Sequence, residues 1–217
     1  VAQLAGVAQT EWSWATLLLD MDNDGWKDMF VSNGYFKNTM SRDEMIEISR
    51  NIKKQNVSNE EKQKLLFEGY KNLPSIHVPN EFYQNERNLS FKKQNPFARE
   101  QRPTFSNGAA YADLDNDGDL DLIINNINEK ASILENTSQA NHYVQLTLES
   151  NSPTENTKVY LVYKNGMIQF QEFIPSRGYQ SSMDRLIHFG VHKADLDQID
   201  FIELQWPDGS YSRIDTV

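Results

Sequence analysis

Two short acidic segments carry the side chains most able to do chemistry in this chain. Residues 20–28 and residues 113–121 both read D-x-D-x-D-G-x-x-D. Carboxylates at alternate positions of a short loop converge on one point, the backbone carbonyl of the seventh residue adds an oxygen, and glycine permits the sharp turn. We therefore predict two sites for a hard divalent cation. Ca²⁺ fits best, because it accepts about six to eight oxygen ligands in flexible geometry, whereas Mg²⁺ takes fewer from the protein.

The predicted ligands stand at the same five positions of each segment. Positions 1, 3, 5 and 9 supply carboxylates, and position 7 supplies its backbone carbonyl. The candidates are Asp20, Asp22, Asp24, Trp26 and Asp28 in the first segment and Asp113, Asp115, Asp117, Asp119 and Asp121 in the second. Close carboxylates repel one another without a cation, so we expect two Ca²⁺ ions with a structural role.

Other uses of these residue types are less well supported. A helix-loop-helix calcium site needs a glutamate at position 12, where this chain has Val31 and Ile124. A phosphotransferring aspartate at a strand end is an alternative for an Asp-x-Asp pair, although the duplication favours metal loops. The four histidines share no metal-ligand spacing, and we expect His188 to be a packed residue with satisfied ring nitrogens.

Short apolar runs flank both acidic segments, at 14–19 and 29–31 and again at 109–112 and 122–124. Such runs favour β-strands, so each acidic loop should join the two strands of a hairpin. Between the two copies, Ser41 and Ser58 each begin an S-x-x-E capping box followed by apolar residues at helical spacing. We predict helices over about 41–55 and 59–72, packed over one rim of the sheet structure. A hairpin over 81–91, a loop over 94–107 and a strand over 131–135 follow.

The last third of the chain is rich in alternating apolar and polar residues. This pattern predicts strands at 143–149, 158–163, 168–174, 186–189 and 201–206, with a hairpin turn at Asn165-Gly166. The polar stretch 136–141 is the predicted domain boundary. A compact β-sandwich or barrel-like unit should follow it.

Composition limits the function further. The formal net charge of −10 argues against a nucleic-acid partner, which needs a basic surface to replace counterions. Nine of the 31 acidic residues lie in the two loops, so bound cations would offset much of that charge. No apolar run is long enough to cross a bilayer, and the absence of cysteine excludes disulfides and thiolate metal sites. We expect the chain to be part of a longer protein that continues upstream of Val1.

These residues resemble a known pair of domains. Trp12-Ser13-Trp14 followed by residues 19–34 resembles an FG-GAP/VCBS repeat, the calcium-loop blade of integrin-α-like β-propellers, and residues 111–126 resemble a second. The C-terminal part resembles the ASPIC/UnbV domain that often follows such propellers in secreted bacterial proteins. The matching residues there are Gly178-Tyr179-Gln180-Ser181, Leu186, His188-Phe189-Gly190 and Trp206-Pro207-Asp208-Gly209.

The resemblance implies a mainly β protein. Residues 1–136 would form partial β-propeller blades with a helical insertion at about 38–79, and residues 142–217 would form an ASPIC/UnbV-like β domain. Such blades close into a ring of about seven, so upstream blades or another chain should cover the open edges. The resemblance further implies export to the cell surface, the periplasm or the medium.

Two functions from different classes follow from these observations. The first is a non-catalytic, calcium-binding surface module that binds a glycan or protein partner in adhesion. The second is part of an exported enzyme that acts on a polysaccharide or phosphate ester through the acidic loops. No nucleophile and base can be assembled from the sequence, which leaves the enzyme without a catalytic motif.

Overall fold

The computed structural model describes residues 1–39, 41–97, 102–138, 141–149 and 154–215. The protein is mainly β, as predicted, with antiparallel sheets and two helices in the described part of the chain. The strands are β1 Ser13–Leu19, β2 Asp28–Asn33, β3 Glu81–Asn85, β4 Phe91–Lys93, β5 Ser106–Ala112, β6 Asp121–Asn126, β7 Ser132–Leu134, β8 His142–Thr147, β9 Lys158–Tyr163, β10 Ile168–Glu172, β11 Leu186–Val191, β12 Ile199–Gln205 and β13 Tyr211–Ile214. The helices are α1 Arg42–Lys53 and α2 Asn59–Lys71.

Two similar sheets form the N-terminal part. Unit 1 is the sheet β1-β2-β3-β4, and unit 2 is the sheet β5-β6-β7. Residues 20–28, here loop 1, connect β1 to β2, and residues 113–121, here loop 2, connect β5 to β6. Both connections are antiparallel hairpins, which confirms the prediction from the flanking apolar runs.

The duplication extends well beyond the acidic loops. Each hairpin carries a bulge near its open end, between Ser13 and Thr16 in unit 1 and between Ser106 and Ala109 in unit 2. Beyond each bulge a serine hydroxyl donates to the side-chain oxygen of a buried asparagine. These bonds are Ser13 Oγ to Asn33 Oδ1 at 3.0 Å and Ser106 Oγ to Asn126 Oδ1 at 2.8 Å. The two units are therefore structural repeats of one hairpin design.

The two units pack face to back, with non-equivalent faces of the repeat in contact. Unit 1 contributes Ala15, Leu17, Leu19, Phe30 and Phe82 to a shared core, and unit 2 contributes Ala109, Leu122, Ile124 and Leu134. In β1 the buried residues alternate with exposed ones, so the opposite face of unit 1 presents Leu18, which is 54% exposed. Burial of these apolar side chains fixes the position of both loops at one end of the pair.

The helical insertion lies between β2 and β3, as predicted. The isolated bridge between Tyr35 and Ile76 closes its base, and α1 contacts α2 where Ile48 meets Gly69. Neither helix contains a buried residue, so the pair lies at the surface. Ser58 forms the predicted capping box with Glu61, but the capping box predicted at Ser41 is wrong, because the Ser41 side chain makes no cap hydrogen bond.

Strands β8–β13, here the C-terminal module, form two sheets around one core. Four strands pair in the order β10-β9-β12-β13, and β11 pairs with β8. Phe189 and Ile187 from the smaller sheet pack against Leu161 and Ile202 from the larger one. This is the sandwich form of the predicted sandwich or barrel-like unit, since neither sheet closes on itself among the described residues. Strand β13 was not predicted. In the described part of the chain, no helix has the length and apolar character needed to cross a membrane.

Candidate metal centre

The carboxylates at positions 1, 3 and 5 converge in both loops. One oxygen each from Asp20, Asp22 and Asp24 lies within 4.8 Å of the other two. The side chains of Asp113, Asp115 and Asp117 form the same cluster in loop 2. Oxygens about 2.3–2.6 Å from a shared ion can be at most about 5 Å apart, so this spacing suits one Ca²⁺ per loop.

The loop backbone holds the first aspartate in place. Gly25 N–H donates to Asp20 Oδ2 at 2.8 Å, and Gly118 N–H donates to Asp113 Oδ2 at 3.1 Å. Both glycines have positive φ, of 89° and 91°, which an L side chain rarely adopts. The glycine at position 6 thus makes the turn that brings position 1 next to positions 3 and 5.

The aspartates at position 9 lie outside these three-residue clusters. Asp28 accepts from Met21 N–H at 2.9 Å and from Asn85 N–H at 2.8 Å, one bond to each oxygen. Asp121 does the same, accepting from Leu114 N–H at 3.0 Å and Asn136 N–H at 2.8 Å. Each position-9 carboxylate therefore closes its own loop and bonds it to a later backbone N–H, that of Asn85 at the end of β3 or of Asn136 after β7.

An asparagine completes each of these closures. Asn85 Nδ2 donates to the Lys27 carbonyl at 2.9 Å. Asn136 Nδ2 donates to Leu120 O at 3.2 Å and to Met21 O in loop 1 at 2.7 Å. Asn136, assigned by sequence to a polar hinge, is thus buried between the two loops.

The two position-7 residues differ. Trp26 is exposed, and its indole lies beside the guanidinium of Arg87, which also approaches Asp24 at 3.7 Å. Asp119 is only 2% exposed, and neither of its carboxylate oxygens accepts a hydrogen bond within the described residues. Asp113 Oδ1 is buried without a partner in the same way. Unpaired buried carboxylate oxygens are costly, and a bound cation would satisfy Asp113 Oδ1, so the donor set fits a metal.

Burial dominates the electrostatics of loop 1. It raises the pKa of Asp20 to about 8, opposed by Lys27, and the pKa of Asp28 to about 7, opposed by its two backbone N–H partners. Burial also lowers the pKa of Lys27 to about 8, with Asp20 acting in the opposite direction. The raised pKa values mean that nearby positive charge and N–H donors do not fully compensate the ionised carboxylates for their burial. A divalent cation would supply that charge and keep them ionised.

The C-terminal module lies directly on both loops. A β-carbon on Gly190 would come within 2.5 Å of the Asn23 Cα and would overlap the carboxylate of Asp20. Gln169 Nε2 donates to Gly190 O at 2.8 Å and lies against Gly25. The C-terminal module therefore forms part of the wall around loop 1.

Contacts with loop 2 come from β8. The ring of Tyr143 lies against Gly118, and Gln145 Nε2 donates to Asp113 Oδ2 at 3.0 Å. His188 of β11 is buried, and its ring nitrogens face Asn23 Oδ1 at 2.7 Å and Gln145 Nε2 at 3.4 Å. The ring nitrogens of His188 are thus satisfied, as the sequence predicted.

Sequence reasoning missed several residues that complete the site: Asn23, Asn85, Asn136, Gln145 and Gly190. A usable signal existed for Asn23, because both loops have asparagine at position 4 and both asparagines adopt positive φ. The other four lie outside the loops in sequence, and only the fold brings them there.

The stabilisation of the protein by calcium should depend on pH. Without metal, protons stabilise the native state, because Asp20 and Asp28 have native pKa values of about 8 and 7 against an ordinary 3.8. That contribution is complete below pH 3.8 and is lost as pH rises through about 7–8. Calcium needs the ionised forms, so the calcium-induced rise in melting temperature should be largest near pH ~8 and shrink toward pH ~5.

Thermal melts with calcium and with chelator at several pH values measure this dependence. His188, whose pKa burial lowers to about 4, affects both melts at each pH, so the difference between them isolates the loops. An equal calcium-induced rise at all pH values would contradict the prediction.

Comparison with known proteins supports the ASPIC/UnbV part of the resemblance. No curated protein matches the chain. A family model described as ASPIC and UnbV matches residues 147–217, which lie within the predicted second domain at 142–217. The matched stretch includes Gly190 and His188, which contact loop 1, and it does not extend over residues 1–146. Residues 147–217 of this chain are therefore similar to the ASPIC and UnbV family, in line with the sequence resemblance.

Proposed function

We propose that this protein is a non-catalytic module, stabilised by two calcium ions, that binds a glycan or protein partner outside the cytoplasm. The observation that carries the proposal is the convergence of three carboxylates in each of two equivalent loops. Asp20, Asp22 and Asp24 would hold one ion, and Asp113, Asp115 and Asp117 the other. Each ion would neutralise close carboxylates and hold its hairpin in shape.

The structural role follows from what surrounds the loops. Both loops lie between packed elements, since Gly190 of β11 covers loop 1 and Tyr143 of β8 covers loop 2. Metal bound there would stabilise contacts between units 1 and 2 and the C-terminal module. Millimolar calcium outside cells would keep even weak loops filled, which favours an exported protein.

The repeat geometry supports assigning units 1 and 2 as β-propeller blades of the FG-GAP/VCBS type. Unit 2 presents Leu122 and Ile124 to unit 1, and the equivalent residues of unit 1 are Met29 and Val31 on its opposite face. Similar units stacked face to back in this way can continue in both directions. A further blade would bury Leu18, which is exposed on the face of unit 1 opposite to unit 2.

Partner binding is tested by glycan arrays and by purified surface-protein candidates, each with calcium and with chelator. We expect a partner that binds with calcium and dissociates at least about tenfold more readily after chelation, because the surface loses its shape. A matched control is Asp200→Ala, which removes an exposed carboxylate far from either loop in sequence. A partner whose affinity does not change on chelation, although the melting temperature falls, would contradict a calcium-shaped binding surface.

One observation favours the alternative, an enzyme acting on a phosphate ester or polysaccharide. A small cleft lies between the loops and the C-terminal module, lined in part by Lys27, Asp113, Arg177 and His188. Arg177 is held there by Tyr111, whose hydroxyl accepts from Nη1 at 2.8 Å. Two cationic side chains beside a metal loop suit an anionic substrate. Hydrolysis of a phosphoester or glycan panel that is lost in both Asp115→Ala and Lys27→Met would establish this function and overturn the non-catalytic one.

A further inference from the structure

A chain of hydrogen bonds joins the two metal loops through the C-terminal module. It runs from the Asp113 carboxylate of loop 2 to Gln145, then to His188, then to Asn23 of loop 1, and from Asn23 Nδ2 back to the Gly118 carbonyl of loop 2 at 2.9 Å. We call these side-chain links the polar bridge. Its ends lie at position 1 and position 6 of loop 2, and its middle lies at position 4 of loop 1.

The chemistry of the polar bridge fixes the direction of each link. Asn23 Nδ2 donates to a carbonyl, so its Oδ1 faces His188 and can only accept. The His188 Nε2 must then carry the proton, which leaves Nδ1 as the acceptor for Gln145 Nε2. The remaining hydrogen on Gln145 Nε2 reaches Asp113 Oδ2. One arrangement of hydrogens therefore forms every link of the polar bridge, with a neutral His188.

The polar bridge acts on the same atoms that metal binding would order. Asp113 is the first ligand of loop 2, and the Gly118 carbonyl belongs to its tight turn. Asn23 lies between the Asp22 and Asp24 ligands and has a φ of 55°, so its backbone sets the position of both. An ion in loop 1 would fix Asn23, and through His188 and Gln145 it would fix Asp113 before loop 2 binds.

We propose that the C-terminal module couples the two cation sites, so that an ion in either loop strengthens binding in the other through Asn23, His188 and Gln145. This inference rests on the proposed calcium loops and adds their regulation by the C-terminal module. The physical basis is shared ordering, since the second ion binds to a loop that the first has already immobilised. Coupling must also be reciprocal, with the same factor measured from either site.

The probe for loop 1 is Tb³⁺ luminescence excited through Trp26, whose position-7 carbonyl belongs to that loop. A Trp26→Phe variant identifies this signal, because the chain's other tryptophans lie outside both loops. The apparent Tb³⁺ affinity of loop 1 is measured with loop 2 intact and with loop 2 disabled by Asp115→Ala. We expect the second value to be about tenfold weaker, within the usual range for coupled sites.

Gln145→Leu removes the links to Asp113 and His188 without adding charge, and Gln145→Ala is a second variant if leucine does not fit. In either variant the tenfold ratio should fall toward one, because only the direct bond from Asn23 to the Gly118 carbonyl is left of the polar bridge. The matched control is Gln169→Leu, which disturbs the contact of the same module with loop 1 but has no bond to loop 2, and the ratio should persist. Calorimetric titrations with Ca²⁺ of the unsubstituted protein and of Asp22→Ala give the reciprocal ratio, which is the affinity of loop 2 with loop 1 intact over its affinity with loop 1 disabled.

The outcomes separate the two proposals. Absence of ion binding to the unsubstituted protein would overturn the calcium loops themselves. Binding at both loops with a ratio of one in the unsubstituted protein would overturn only the coupling. A ratio that stays near ten in both Gln145 variants would show that the links through Gln145 and His188 do not carry it, and so would overturn coupling by the C-terminal module.

Discussion

Removing calcium is expected to lower the melting temperature of this protein by roughly 10–20 °C. At a free calcium concentration of about 100 times Kd, each site adds about 2.7 kcal/mol to the free energy of unfolding, and two sites add about 5 kcal/mol. For a chain of this size, 1 kcal/mol corresponds to about 2–4 °C. The large effect follows from the location of the loops, because both lie between the units and the C-terminal module.

Differential scanning calorimetry with calcium and with chelator measures this change. Asp22→Ala and Asp115→Ala should each remove at least half of the calcium-induced rise, since each disables one of the two sites and, through the proposed coupling, weakens the other. Asp200→Ala changes the same charge at an exposed position of β12 and should leave the rise intact. A melting temperature that chelation leaves unchanged would contradict the structural role of the metal.

The substitution Gly190→Ala is expected to cost about 3 kcal/mol or more in unfolding free energy and to weaken ion binding in loop 1. The added β-carbon would lie 2.5 Å from the Asn23 Cα and 2.7 Å from its carbonyl carbon, so backbone must move. Overpacking against side chains typically costs about 1–3 kcal/mol, and backbone yields less readily than side chains. The same displacement shifts Asp20 and Asn23 away from the positions that a cation needs.

Gly166→Ala is the control for this substitution. Gly166 has a φ of 85° and open space around the added β-carbon, so alanine there should cost only the backbone strain of about 1–2 kcal/mol. It should leave calcium affinity unchanged, because Gly166 lies in the β9–β10 turn. Urea unfolding and calcium titration of both variants give the comparison. If Gly190→Ala bound calcium as tightly as Gly166→Ala, the C-terminal module would not shape loop 1.

His188-Phe189-Gly190, part of the resemblance to the ASPIC/UnbV domain, has two structural roles. Phe189 packs in the core of the C-terminal module, while its two neighbours face loop 1. In a strand, successive side chains point to opposite sides, so one short motif can both anchor the sandwich and contact the metal loop. The motif therefore links the module's own stability to its docking on unit 1.

Local patterns allowed the sequence by itself to determine most elements and the carboxylate clusters of the candidate metal site. Alternating and β-branched runs identified most strands, position 12 excluded a helix-loop-helix calcium site, and the spacing of Asp20, Asp22 and Asp24 identified a carboxylate cluster. These features depend on residues a few positions apart, whose geometry the backbone fixes locally. Ser41 shows the limit even at short range, since a capping-box pattern is present without its hydrogen bond.

Only the tertiary structure decided what surrounds the loops and how they are connected. Asp28 matches the ligand pattern, yet both its oxygens accept backbone N–H groups, one of them from Asn85 in a strand beyond the helical insertion. Asn136 fits a polar hinge in sequence but is buried against carbonyls from both loops. Gln145, His188 and Gly190 reach the site because the C-terminal sandwich docks there. Such contacts join residues far apart in the chain, and burial of apolar surface elsewhere, rather than any local pattern, brings them together.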